Sequence, residues 1–171
     1  HRDIKPNNIM LLHHVGHPSF AKVIDFGIAR AIGGPGHGTM GILGTIGYIA
    51  PEQAAGDVMP DARTDLYALG CVAYELFTGR LPFDGITHQS APLDILEAHR
   101  VGQPTHIRSI RPDADPELGD LIMRMMSRDP DERPRSAGDL VVPLHSIRSR
   151  ASAGIAYGLD VPKPTENHDA A

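Results

Sequence analysis

The segment from Asp61 to Gly79 constrains the fold more strongly than any other part of the chain. Its apolar residues recur at steps of three and four positions, which is the spacing of an α-helix: Leu66, Leu69, Val72, Ala73 and Leu76. Because these residues occupy more than one face, we predict a central helix that other parts of the protein surround. We expect Val72 and Leu76, one turn apart, to lie in the core beneath Met10.

Two further helices are indicated by their start signals. Asp115 stands at an N-cap position, and Pro116 follows it in the first turn of a segment with apolar residues on one face. Ser136 and Asp139 form a weak capping box at the start of a third helix. Pro143 is expected to kink that helix or to end its first segment, because proline removes a backbone N–H and clashes with the preceding turn.

The other segments have a different character. Residues 9–12 and 21–24 are short apolar runs on either side of a stretch with Gly and Pro, which predicts a β-hairpin with a long turn. Residues 31–47 are rich in glycine and predict a loop. Periodicity is lost near residue 149, so we expect one domain at 1–149 and a flexible linker or tail at 150–171. The predicted fold class is mainly α with a short β-hairpin.

The composition limits the kinds of partner. The chain of 171 residues has 16 Lys and Arg against 21 Asp and Glu, and its basic residues are scattered, which argues against a nucleic-acid partner. The single cysteine, Cys71, lies among small apolar residues and is expected to be buried in a protein of a reducing compartment, so we expect a cytoplasmic location. No apolar run approaches the roughly 18 residues of a membrane span, so we expect no membrane contact from this segment.

The opening sequence HRDIKPNNIM carries the first indication of chemistry. It places a carboxylate, a cation and a carboxamide in one short loop, at Asp3, Lys5 and Asn8. Such a cluster is costly to bury unless its members have partners, which favours a functional role over packing. A second acidic motif, Asp25-Phe26-Gly27, follows the predicted hairpin directly.

These two motifs stand in an order that resembles the C-terminal lobe of a protein kinase, and specifically the bacterial eukaryotic-like (Hanks-type) Ser/Thr kinases. Three later segments resemble the same family in the same order: GTIGYIAPE at 44–52, TDLYALG at 64–70 and RDPDERP at 128–134. The resemblance covers about residues 1–149 and implies the large lobe of the kinase α+β fold. It also implies that the N-terminal lobe precedes His1 and is absent from these residues.

The resemblance implies a role for each group in the opening loop. Asp3 would accept or orient the proton of the substrate hydroxyl, and Lys5 would lie near the transferred phosphate of ATP. Asn8 and Asp25 would bind Mg²⁺, with Mn²⁺ as an alternative, because hard cations prefer oxygen ligands. Met10 would contact the adenine ring.

Further residues are implied to control the activity. Lys5 together with Thr45 resembles the pattern of kinases that phosphorylate Ser and Thr hydroxyls of proteins. Arg2 would pair with a phosphorylated Thr39, so that phosphorylation of this segment, possible within a kinase dimer that phosphorylates in trans, would switch the enzyme on.

Five residues are implied to support the site without taking part in the chemistry. His1 would stack beneath Phe26. Asp65 would accept hydrogen bonds from the backbone of the opening loop and hold Asp3 in place. Glu52 and Arg133 would form a partly buried ion pair, in which loss of one partner costs about 3–5 kcal/mol.

Several alternatives stay open at this point. A pseudokinase or scaffold would use the lobe only to bind partners, and a small-molecule phosphotransferase would share part of the motif set. Because the Gly-rich loop, strand lysine and helical glutamate are expected upstream, the fragment alone is predicted to be inactive. His13, His14 and His17 suggest a metal site, but a solvated turn is the preferred interpretation because no cysteine or carboxylate cluster accompanies them. A membrane anchor beyond this segment also remains open.

Overall fold

A computed structural model of the chain describes residues 1–13, 20–25, 46–55 and 61–152. This part is mostly helical with one two-stranded antiparallel sheet, which confirms the predicted content of secondary structure. In chain order the elements are β1 (Ile9–Leu12), β2 (Phe20–Val23), α1 (Pro51–Ala55), α2 (Ala62–Thr78), α3 (Pro92–Val101), α4 (Ile107–Ile110), α5 (Pro116–Met125) and α6 (Gly138–Ser152). Short 3-10 helices lie at Pro6–Asn8, Ile46–Tyr48 and Pro130–Glu132.

The central helix predicted from the sequence is α2. The side chain of Asp61 caps its first turn by accepting a hydrogen bond of 2.7 Å from the Arg63 N–H. The helix ends at Gly79, whose φ of 72° is left-handed and is adopted readily by glycine. Val72 and the cysteine at 71 are buried, and the helix contacts α4, α5 and the 3-10 helix at 46–48. Among the described residues these neighbours form a hydrophobic core around α2.

The predicted core position of Leu76 is wrong. Its side chain is 78% exposed, and Met10, under which it was expected to pack, is 48% exposed. Tyr74 is completely buried, and a residue two positions further along a helix lies about 200° around the axis. The apolar spacing therefore identified the helix, but it did not show which of its faces the described residues cover.

The hairpin forms in the predicted region with a shift of one residue in its second strand. Ile9 pairs with Val23 and Leu12 with Phe20, so Phe20 belongs to β2 and not to the turn. The Ile24 N–H donates to the Asn8 carbonyl at 2.9 Å, which extends the pairing beyond the regular strands. Residues 8 and 25 consequently lie at the same end of the hairpin.

Helix α5 packs closely against α2. Its start is capped as predicted, because the Asp115 carboxylate accepts a hydrogen bond of 2.9 Å from the Leu118 N–H. At the contact with α2, a Cβ atom placed on Gly70 would lie 2.8 Å from Cγ of Met126. Glycine at this position therefore allows the two helices to approach each other.

Helix α6 contains the proline for which two outcomes were predicted, and the alternative in which Pro143 ends the first segment is wrong. It begins near the predicted capping residues, where the Asp139 carboxylate accepts hydrogen bonds from the N–H groups of Arg135 and Ser136. It continues through Pro143 to Ser152, although Pro143 has no N–H to donate to the carbonyl four residues earlier. The helix therefore includes three residues beyond the boundary predicted at 149. Within the described residues, every helix is too short or too polar to cross a membrane.

Candidate active site

The opening loop brings together the three side chains that the sequence singles out. The Asp3 carboxylate lies 2.8 Å from the Lys5 ammonium, and the same carboxylate oxygen accepts a hydrogen bond of 3.1 Å from the Asn8 amide nitrogen. The Asn8 amide also donates to the Asp3 carbonyl at 2.8 Å. Asn8 is 6% exposed, so its orientation is fixed by burial as well as by these bonds. The loop therefore holds a carboxylate between a cation and an amide at a partly buried surface.

A single turn of 3-10 helix produces this arrangement. Lys5 has an extended backbone, Pro6 begins the turn, and the Asn8 N–H donates to the Lys5 carbonyl at 3.0 Å. Proline suits the first position because its φ is already close to the helical value and its missing N–H would have no partner there. The turn places Asn8 beside Asp3 although five positions separate them.

Asp65, in the first turn of α2, anchors the start of the loop. Its two carboxylate oxygens accept hydrogen bonds from the backbone nitrogens of His1 and Arg2, each at 2.7 Å. Arg2 has a φ of 67°, a conformation that is costly for a long side chain and persists where surrounding contacts enforce it. The resemblance implied this contact between Asp65 and the loop backbone, while the role of Asp65 in holding Asp3 in place stays a prediction.

The end of the hairpin carries the second acidic motif. Ile24 connects it to the opening loop twice, since its N–H donates to the Asn8 carbonyl and its own carbonyl accepts a hydrogen bond of 2.9 Å from Nε2 of His1. Asp25 follows with a φ of 55°, a left-handed conformation that aspartate tolerates better than most residues. The backbone thus places Asp25 next to the loop that contains Asn8.

The donor set at this place suits a hard divalent cation. The Asn8 amide nitrogen is occupied by Asp3, so its amide oxygen is the atom left for a metal ion, and Asp25 offers carboxylate oxygens. Mg²⁺ is commonly bound by one or two such protein groups together with substrate phosphates and water. Within the described ranges, no group of three or more His, Cys, Asp and Glu side chains forms a denser metal site.

A buried ion pair ties the segment after residue 45 to the loop after α5. Glu52 and Arg133 meet through two hydrogen bonds of 2.8 Å, and the Thr64 hydroxyl donates to the same carboxylate at 3.0 Å. The Arg133 side chain is 0% exposed, and its guanidinium lies 4.9 Å from the centre of the Tyr67 ring. Burial raises the pKa of Glu52, but the hydrogen bonds and the charge of Arg133 outweigh it and leave that pKa below its usual value.

Comparison with known proteins identifies the family. The sequence pattern of the protein kinase domain matches residues 1–141. The chain belongs to the protein kinase family. It is 39% identical over 149 residues to a probable serine/threonine-protein kinase of Streptomyces coelicolor, a match that covers 85% of this chain and 21% of the relative.

Two further relatives are also bacterial kinases. Serine/threonine-protein kinase PknB of Mycobacterium tuberculosis is 36% identical over 152 residues, covering 87% of this chain and 23% of PknB. Serine/threonine-protein kinase Pkn1 of Myxococcus xanthus is 42% identical over 137 residues, covering 78% of this chain and 19% of Pkn1. The chain therefore spans about a fifth to a quarter of the length of these relatives.

Some of the predicted site residues lie outside the described part of this kinase chain. Phe26, Thr39 and Thr45 belong to this group, as do two of the histidines of the predicted turn, His14 and His17. Met10 lies on β1 with half of its surface exposed, near the loop but without a role that its contacts define. The expected pairing of Arg2 with phosphorylated Thr39 and the expected stacking of His1 beneath Phe26 therefore stay predictions.

The structure also contains a polar cluster that no feature of the sequence predicted. The Tyr48 hydroxyl donates to Glu75 at 2.6 Å, and Nε2 of His88 lies 2.6 Å from the other oxygen of the same carboxylate. Burial raises the pKa of Tyr48, and the hydrogen bond to Glu75 adds to this effect. The cluster joins α2 to the short helix at 46–48 of the kinase domain. No local spacing signals it, because its members are 13 and 27 positions apart.

Proposed function

We propose that the protein containing this chain is a Ser/Thr protein kinase, and that the chain is the C-terminal lobe of its catalytic domain. The observation that carries the proposal is the Asp3 carboxylate held between Lys5 and Asn8, in a chain that belongs to the kinase family. Its substrates would be Ser and Thr hydroxyls of other proteins, and its phosphate donor would be ATP.

Each group of the opening loop has a task in this proposal. Asp3 orients the substrate hydroxyl and accepts its proton, while Lys5 places a positive charge beside the transferred phosphate. The bonds from Lys5 and Asn8 fix the direction of the carboxylate, which favours an in-line approach of the hydroxyl. Asn8 and Asp25 would hold Mg²⁺, which when bound neutralises charge on the phosphates.

Control of the enzyme is a second part of the proposal. Phosphorylation of Thr39, carried out in trans within a kinase dimer, would supply an anion for Arg2, whose backbone Asp65 fixes next to Asp3. Thr45 would serve the recognition of the substrate hydroxyl. Met10, half exposed on β1, would contact the adenine ring once the rest of the nucleotide site is present.

We further propose that the 171-residue chain alone does not turn over ATP, and that the whole protein acts in the cytoplasm. The kinase family places its Gly-rich loop, strand lysine and helical glutamate ahead of the catalytic loop. Without these groups the phosphates of ATP would lack most of their contacts, so affinity and turnover would both be lost.

The test is a phosphotransfer assay with the full-length gene product, radiolabelled ATP and Mg²⁺. Protein and peptide substrates with Ser, Thr or Tyr as the only hydroxyl residue are compared, followed by phosphoamino acid analysis. Label on Ser and Thr is the expected result. Binding of ATP without transfer would indicate a scaffold, and transfer only to small molecules would indicate a different phosphotransferase, so either outcome would refute the proposal.

The isolated 171-residue chain is assayed in parallel. It is expected to show no autophosphorylation under conditions in which the full-length protein is labelled. Incorporation of label into the isolated chain would refute its proposed inactivity, and it would leave the assignment of the full-length protein intact.

A further inference from the structure

A short segment at 46–49 lies directly beside the carboxylate of the opening loop. Tyr48 and Ile49 of this segment line a small hollow in the surface together with Arg2 and Asp3. A peptide that presents a hydroxyl to Asp3 would therefore contact the segment at 46–49. The position of this segment consequently affects how well such a peptide binds.

Three parts of the chain meet at the Glu75 carboxylate, near the end of α2. One of its oxygens accepts a hydrogen bond of 2.6 Å from the Tyr48 hydroxyl, and the other lies 2.6 Å from Nε2 of His88, in the loop between α2 and α3. An ionised carboxylate only accepts hydrogen bonds, so Nε2 carries a proton at this contact. Glu75 therefore connects the segment at 46–49 to the loop that contains His88.

His88 also packs against the segment directly. The centres of the His88 and Tyr48 rings are 6.0 Å apart. Gly47 is buried, and a Cβ atom placed on it would lie 3.4 Å from Cε1 of His88 and 3.4 Å from Cδ2 of Leu81. The imidazole therefore contacts the segment both through Glu75 and through the backbone at Gly47.

The turn at 87–90 holds His88 in this position. The Thr87 N–H donates to the Ser90 hydroxyl at 2.9 Å, and the Ser90 N–H donates to the Thr87 carbonyl at 3.1 Å. The His88 side chain is 48% exposed, so it can exchange protons with water. Its ring is thus fixed against the segment and remains open to protonation.

The strength of the contact between His88 and Glu75 depends on the charge of the imidazole. Histidine is the side chain that most readily changes its charge between about pH 5 and 8, and a protonated ring makes a stronger hydrogen bond to a carboxylate than a neutral one. Burial raises the pKa of Tyr48, so its hydroxyl stays a donor to Glu75 over this range. Arg80 and Asp84, at the start of the same loop, pair with each other at 3.1 Å. Loss of the imidazole proton therefore weakens the contact with Glu75.

We propose that His88 is a positioning residue for peptide substrates, and that it acts through Glu75 and Tyr48 on the segment at 46–49. The proposal rests on the proposed kinase function, because it concerns substrate binding at the same site. The segment is held most firmly when the imidazole carries its second proton, so a peptide binds best at low pH and more weakly as the pH rises. The transfer step at Asp3 is not affected, because the described contacts of His88 are with the segment and α2.

The experiment measures KM for a peptide with serine as its only hydroxyl residue, using the full-length gene product and the variant His88→Gln between about pH 6 and 8.5. Glutamine donates a hydrogen bond but carries no charge at any pH. Effects of pH on ATP, on the peptide and on the transfer step cancel in the ratio of the two KM values. At about pH 6 the variant is expected to have a KM about twofold to fivefold above that of the wild type, because partly exposed ion pairs contribute modestly. The two values should become equal at about pH 8.5, with kcat unchanged within about twofold.

The matched control is His106→Gln, since His106 lies 3.5 Å from Asp120 in another exposed pair of histidine and carboxylate. Its KM for the peptide should equal that of the wild type at every pH. A KM ratio for His88→Gln that does not change with pH, or a loss confined to kcat, would overturn the proposal and leave the kinase function intact. Absence of phosphate transfer by the wild type would refute the kinase function, and the role of His88 with it.

Discussion

The buried ion pair between Glu52 and Arg133 gives the sharpest prediction for stability. The substitution Glu52→Gln keeps the size of the side chain but leaves the Arg133 guanidinium without its counter-ion, at a position where that side chain is 0% exposed. Removing one partner of a buried pair costs about 3–5 kcal/mol, because the remaining charge stays out of water. For a chain of 171 residues about 1 kcal/mol corresponds to roughly 2–4 °C, so its unfolding midpoint should fall by about 6–20 °C.

The assay is thermal unfolding of the protein followed by circular dichroism, repeated in urea. Arg133→Met is expected to cost a comparable amount, since it removes the guanidinium that also donates to the carbonyls of Ser127 and Arg128. The double variant should lose less stability than the sum of the two single variants, because neither charge then remains without its partner.

The control is Glu97→Gln, which removes the carboxylate of an exposed pair with Arg100 on α3. It should leave the unfolding midpoint unchanged, because both side chains remain in water in every state. If Glu52→Gln shifts the midpoint no further than this control, the reasoning about burial is refuted.

Three further predictions concern pH, helix packing and the anchor of the loop. Burial lowers the pKa of His99 on α3 to about 4, so the contribution of its neutral ring to stability is complete above pH 6.5 and is lost as the pH falls towards 4. The fall of the unfolding midpoint over this range should therefore be smaller in His99→Gln. Gly70→Ala should cost about 1–3 kcal/mol in urea unfolding, because the new methyl group would meet Met126 at 2.8 Å. Asp65→Ala should lower kcat more than it raises KM for ATP, because the strained backbone of Arg2, next to Asp3, loses the carboxylate that accepts its N–H. An unchanged kcat would contradict the role of Asp65 as the anchor of the opening loop.

The fold was predictable where local signals agree with each other. Helices α2 and α5 both have regular apolar spacing and a capping aspartate. The spacing alone identified α2, and α5 was identified from its spacing together with Asp115 and Pro116. Helices α1 and α4 have only five and four residues, too few to show a periodic pattern. Helix α3 buries only Ile95 and His99, so its apolar face could not be recognised without its neighbours.

The candidate site was likewise predictable only where its residues lie close together in the sequence. Asp3, Lys5 and Asn8 lie within six positions of one another, and their proximity follows from the length of the loop. The partners of Arg2 and Arg133 are 63 and 81 positions away, and only the resemblance to the kinase family indicated them. The cluster at Glu75 arises from tertiary packing, for which the sequence contains no spacing rule.

The central claim is that Asp3 acts directly on the substrate hydroxyl, and the most direct test is the rate of phosphate transfer by the full-length protein carrying Asp3→Asn. The account predicts a loss of about 10²–10⁴-fold in kcat with ATP affinity nearly unchanged, because a general base contributes to the chemical step and not to nucleotide binding. Asp120→Asn, an exposed carboxylate on α5, serves as the control and should retain full activity. A variant Asp3→Asn with wild-type turnover would contradict the account.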